Sequence, residues 1–131
     1  MKQKLLVVDS PQNLRQRLYG RKVVFHLLSK RGHNVVTAAN GKEAIEAAEK
    51  QRFDLILMDV QMPVMGGLEA TAILRERERA GAHRTPIIAL TAHAMTGDRE
   101  QFLSAGMDGY LAKPVNESTL LERIAEQTGR C

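Results

Sequence analysis

The chain has 131 residues, 44% hydrophobic and 26% charged, with one cysteine, Cys131, and a net charge of +4. That length suits a single domain over residues 1–131 whose core needs no disulfide or metal staple. No apolar run approaches the roughly 18–20 residues that span a bilayer, no signal-peptide core opens the chain, and a lone cysteine makes no internal disulfide, so a cytoplasmic location is expected. Basic residues gather early, at Lys2, Lys4, Arg15, Arg17, Arg21, Lys22, Lys30 and Arg31. No aromatic stacking motif or zinc spacing accompanies them, so the expectation is a solvated helix face and no direct nucleic-acid binding.

In chain order, residues 5–8 are an apolar strand closing on Asp9. Helical spacing follows over about residues 13–31, through Leu14, Leu18, Phe25 and Leu28, with Gly32 as its stop. Residues 35–38 form a second strand, Asn40-Gly41 a turn, and residues 42–51 a helix with Ala44, Ile45, Ala47 and Ala48 inward. Residues 55–59 are a third strand without alternation, as in a parallel sheet covered on both faces. Met62-Pro63 breaks it, and Gly66-Gly67 leads into a helix over residues 68–80. A fourth strand over 86–91, a helix over 96–105 stopped by Gly106, and a fifth strand over 109–112 come next. The last helix starts at Asn116 or Ser118 and ends near Thr128. Five strand–helix pairs with short connections predict an α/β doubly wound, five-stranded parallel sheet.

Open sheets of this kind carry their sites at the carboxyl edge. Four predicted strands end there in reactive groups: Asp9-Ser10 after the first, Asp59 on the third, Thr91 on the fourth, and Lys113-Pro114 after the fifth. Taken singly, Asp59 is as readily a helix cap, and a strand-end threonine or lysine is more often structural. Together they supply a nucleophilic carboxylate, a second carboxylate, a hydroxyl and an ammonium. Phosphoryl transfer to aspartate needs that set: a carboxylate to form the acyl phosphate, a hard cation on carboxylates, and donors for the transferred oxygens.

Three segments carry a family resemblance: residues 58–67 (MDVQMPVMGG), 90–95 (LTAHAM) and 106–114 (GMDGYLAKP). With them the chain resembles the receiver domain of two-component response regulators, most closely receivers attached to hybrid sensor histidine kinases. The resemblance implies a flavodoxin-like sandwich with strand order 2-1-3-4-5. It implies that Asp59 accepts a phosphoryl group from phosphohistidine. It places Mg²⁺ on Asp9, Asp59 and the Gln61 backbone carbonyl, with Ser10 as a further oxygen. Thr91 and Lys113 grip the phosphoryl group, Tyr110 swings with Thr91 as a switch, and the Lys113-Pro114 bond is cis. The partner is a histidine kinase or a histidine phosphotransfer domain, and the domain is a monomer or weak dimer. Any catalysis is of its own phosphorylation and dephosphorylation, with Gln61 and His93 setting the rate of phosphate loss.

Three departures from the family stand out. One acid follows the first strand where two adjacent acids are usual. Either Ser10 replaces the second, or Val8 replaces the first and residues 10–13 (SPQN) follow the common Asn-Pro-x-Asn. Either way a metal-side charge is missing, which weakens attraction for Mg²⁺. Some six or seven extra residues lie around positions 13–20, as an extended first helix or a longer loop, with Gly20 opposing a continuous helix. Gly66 stands where an aspartate is common. The alternative reading is therefore a degenerate receiver serving as a phosphorylation-independent interaction module. Aspartate-nucleophile phosphatases carry a second acid two residues on, where Gln61 stands here. A flavodoxin needs a hydroxyl- and glycine-rich phosphate loop after its first strand, which residues 9–12 (DSPQ) do not supply.

Overall fold

The computed structural model describes residues 3–8, 21–60, 65–81, 84–91, 96–112 and 116–128. The elements are β1 (Lys4–Val8), α1 (Arg21–Lys30), β2 (Asn34–Ala38), α2 (Gly41–Lys50), β3 (Leu55–Asp59), α3 (Gly67–Ala80), β4 (Ile87–Thr91), α4 (Thr96–Ser104), β5 (Gly109–Ala112) and α5 (Glu117–Thr128). The long first helix expected over 13–31 is therefore described only from Arg21, and the insertion lies outside the described residues. The strands form one parallel sheet in the order β2-β1-β3-β4-β5. No helix among the described residues is long and apolar enough to cross a membrane.

Side-chain alternation along the strands sorts the core into two layers. Leu6, Val8, Ile56, Met58, Ile87 and Ala89 face one side and pack with Ala44 and Ile45 of α2, Ala70 and Leu74 of α3, and Phe102 of α4. Leu5, Val7, Leu55, Leu57, Ile88 and Leu90 face the other, with Leu28 of α1 and Leu120 and Ile124 of α5. All five residues of β3 and of β4 are buried. Residues of both parities need an apolar surface, which is why these strands read as unbroken apolar runs.

Local chemistry sets the helix ends. Asn40 Oδ1 accepts from the Glu43 N–H at 3.0 Å while Glu43 Oε1 accepts from the Ala39 N–H at 3.0 Å, a reciprocal cap that starts α2. Gly32 takes φ 87°, which an L side chain resists, and so ends the turn after α1. Asn116 Oδ1 accepts from the Thr119 N–H at 3.3 Å, deciding between the two predicted starts of α5 in favour of an Asn116 cap.

A polar network holds the amino edge of the sheet. Arg75 of α3, 11% exposed, donates to the carbonyls of Gly106 and Thr85, both at 2.8 Å, and to Glu78 and Asp108. Asp108 also accepts from Arg84 and from the Ile87 N–H, the first amide of β4. One guanidinium thus ties α3, the start of β4 and the α4–β5 turn together. At the same edge, Asp54 accepts from the Lys4 N–H at 2.7 Å, and the Gln3 N–H donates to His33 Nδ1 at 3.2 Å.

Candidate functional site

Asp59 is the last residue of β3 and Thr91 the last of β4, 2% and 7% exposed. Their strands are neighbours, and Asp59 is level with Leu90, so Thr91 stands one residue further toward the carboxyl edge. Tyr110 of β5 is level with Ala89, two residues before Thr91. Alternation puts Ala89, Thr91 and Tyr110 on one face of the sheet. Half-buried, the Tyr110 ring meets Phe102 of α4 at 6.4 Å between centroids, tilted by 50°.

The chain that leaves Asp59 is held at both ends. The Val60 N–H donates to the Leu90 carbonyl at 3.1 Å, extending the pairing one residue beyond β3. The Gly67 N–H then donates back to the Val60 carbonyl at 3.1 Å, so α3 begins against the end of the strand. A Cβ at Gly67 would overlap the Asp59 carbonyl oxygen and come within 3.0 Å of Met58 Cγ. Glycine is required here by the close approach of two backbones. Gly66, the N-cap of α3, makes no side-chain cap bond. The aspartate common at that place in the family would supply one; its absence costs only about a few tenths of a kcal/mol, because glycine is itself a tolerated cap.

Of the residues expected at the site, the structure brings Asp59 and Thr91 to one edge on adjacent strands and places Tyr110 on the face of Thr91, two residues back from that edge. Asp9, Ser10, Gln61, His93, Lys113 and Pro114 lie outside the described residues. Two of them directly follow described strand ends. β1 ends at Val8, level with Met58, and Asp9 is next in sequence. β5 ends at Ala112, level with Thr91, and Lys113 is next. Among the described residues no three His, Cys, Asp or Glu side chains gather as a metal site. Asp59 is the described member of the expected Mg²⁺ set, and a carboxylate at a sheet edge is a donor of the hard type that cation selects.

Sequence reasoning missed the glycine contacts and the Arg75 network. The adjacent pair Gly66-Gly67 was the only available signal for the first. The second joins Arg75 to Asp108, 33 positions apart, and leaves no periodic trace.

The pattern of the response regulator receiver domain matches residues 5–125. The chain belongs to that family. This receiver is 42% identical over 130 residues to the hybrid signal transduction histidine kinase I of Dictyostelium discoideum, a match that covers 95% of the receiver and 7% of the kinase. It therefore spans a small part of the length of the curated relatives it matches. The crystallised receiver domain of the sensor histidine kinase PA1611 from Pseudomonas aeruginosa, with a magnesium ion coordinated in its active site cleft, has 40% identity and a TM-score of 0.82, covering 98% of this chain and 99% of that one. The receiver domain of Ssk1 from Saccharomyces cerevisiae, crystallised with the histidine phosphotransfer protein Ypd1, has 31% identity and a TM-score of 0.84, covering 98% and 90%. The expected fold, strand order and kinship with hybrid kinases all hold.

Proposed function

We propose that this receiver takes a phosphoryl group from a partner's phosphohistidine onto Asp59 and that the acyl phosphate changes which partners it binds. The observation that carries this reading is the position of Asp59: a carboxylate ending a buried strand at the carboxyl edge, one register step from the Thr91 hydroxyl on the next strand. An Asp59 oxygen attacks phosphorus as the N–P bond breaks; the imidazole nitrogen leaves with the bonding pair and gains a proton from solvent. Thr91 and Lys113 donate to the transferred oxygens. Bound Mg²⁺, held by Asp59 with Asp9 and the Gln61 carbonyl and with Ser10 as a further oxygen, would supply neutralising charge at those oxygens. Thr91 drawn toward the phosphoryl group leaves space on the face it shares with Tyr110, and the ring follows.

The magnesium ion in the PA1611 receiver supports the metal, the Ssk1–Ypd1 complex supports a histidine phosphotransfer partner, and the kinship with hybrid histidine kinases supports a histidine kinase as the other candidate. In this reading residues 1–131 form one signalling module in the cytoplasm, a monomer or weak dimer whose chemistry is confined to its own aspartate. One observation favours a second reading. A single acid, Asp9, follows β1 where the family carries two, so a degenerate receiver that binds partners without phosphorylation is the competitor.

Intact-mass analysis after incubation with acetyl phosphate, with and without Mg²⁺, separates the two. The first reading expects one Mg²⁺-dependent phosphoryl adduct that Asp59→Asn lacks. A folded chain that gains no adduct at saturating Mg²⁺ counts against the first and favours the second.

A further inference from the structure

Gly41 is the first residue of α2 and belongs to none of the strand ends that form the site. It is nonetheless packed against Met65 and Ala70, at the start of the helix that follows Asp59. A helix's first amides have no partner within the helix. The Gly41 N–H donates to the Met65 carbonyl at 3.1 Å, immediately before Gly66 and Gly67. Gly41 is buried, and a Cβ there would lie 2.8 Å from that carbonyl oxygen, 2.9 Å from Ala70 Cβ and 3.0 Å from Met65 Cγ. Two of these are contacts with backbone or with a short side chain on a packed helix, so nothing flexible yields. The Met65 carbonyl is thus fixed by a hydrogen bond and by the absence of a side chain on another helix. Two residues on, the Gly67 N–H donates to the Val60 carbonyl, and Val60 is itself tied to Leu90 of β4.

We infer that Gly41 is a positioning residue for the phosphoacceptor: through Met65 it fixes the start of α3, whose Gly67 lies against the backbone of Asp59 and Val60, and so tunes the Mg²⁺ affinity of the site from a separate helix. The inference rests on the proposed Asp59 chemistry. It also runs in both directions, since a coupling that lets Gly41 influence the metal obliges the metal to influence Gly41.

The test is a Mg²⁺ titration of the whole chain followed by amide ¹H–¹⁵N NMR without any phosphodonor, on wild type, Gly41→Ala and Gly81→Ala. Gly81 is the control because a Cβ there meets nothing within 4 Å. In wild type the Gly41 amide resonance shifts with the same Mg²⁺ midpoint as Val60 and Gly67. In Gly41→Ala the added Cβ pushes on the Met65 carbonyl and the midpoint rises about tenfold, the lower end of what disturbing the groups that orient a metal's ligands costs, while Gly81→Ala stays at the wild-type value. A Gly41 resonance that stays still while Val60 moves overturns the inference, and so does a Gly41→Ala midpoint within twofold of the control. The wild-type titration stands as the test if Gly41→Ala does not fold. Failure of the parent reading looks different: wild type then neither shifts with Mg²⁺ nor gains a phosphoryl group, and the inference falls with it.

Discussion

Replacing Arg75 by methionine keeps most of the side chain's length and removes all its polar contacts. The lost bonds are those to the Gly106 and Thr85 carbonyls, Glu78 and Asp108, at 2.6–2.8 Å. Hydrogen bonds to a charged group contribute about 1.5–3 kcal/mol each when removed singly, and such values do not add within one network. Breaking a buried ion pair costs about 3–5 kcal/mol when it strands its partner. Asp108 is not stranded here, because Arg84 and the Ile87 N–H still donate to it. The expected loss is therefore near the bottom of that range, about 3 kcal/mol. With an unfolding entropy of about 2.1 cal/mol/K per residue over 131 residues, Tm falls by about 11 °C. Urea unfolding followed by far-UV circular dichroism, at low and high salt, measures it. Arg75 is 11% exposed, so the difference persists at high salt. A loss under about 1 kcal/mol, or one that salt abolishes, would mark an ordinary surface pair and refute the reasoning.

Other outcomes follow from the same structure. Gly67→Ala forces a Cβ onto the Asp59 carbonyl and lowers stability by about 2 kcal/mol. Gly66→Ala, whose Cβ comes no nearer than 3.4 Å to the Val60 carbonyl, loses less than half as much in the same urea assay; equal losses would contradict the close-approach argument. Burial lowers the His33 pKa, and its neutral Nδ1 accepts from the Gln3 N–H. On acidification the unfolded chain binds this proton first, so the stability His33 contributes is complete above its unfolded pKa of about 6.5 and is lost as pH falls through the lower folded value. Urea midpoints measured from neutral to mildly acid pH decline more steeply for wild type than for His33→Gln, and parallel curves would exclude this role.

The layers and the strand identities were legible in the sequence because they depend on local pattern. The apolar run at 55–58 has to be buried on both faces, and such strands belong to helix-covered parallel sheets. Gly32 and Gly106 stop their helices by taking positive φ, a property of the residue itself. Asp59 and Thr91 were legible as strand ends, and parallel pairing then brings them to one edge. What the sequence left undecided depends on contacts between distant residues. Asn116 rather than Ser118 caps α5 because its side chain reaches the Thr119 amide. Arg75 finds Asp108 across two elements, and Gly41 meets Met65 where α2 packs beside α3. Pattern along the chain reports which face of an element is buried. Tertiary structure alone decided which residue each buried face meets, because that choice is made by packing two backbones to contact distance and leaves no period in the sequence.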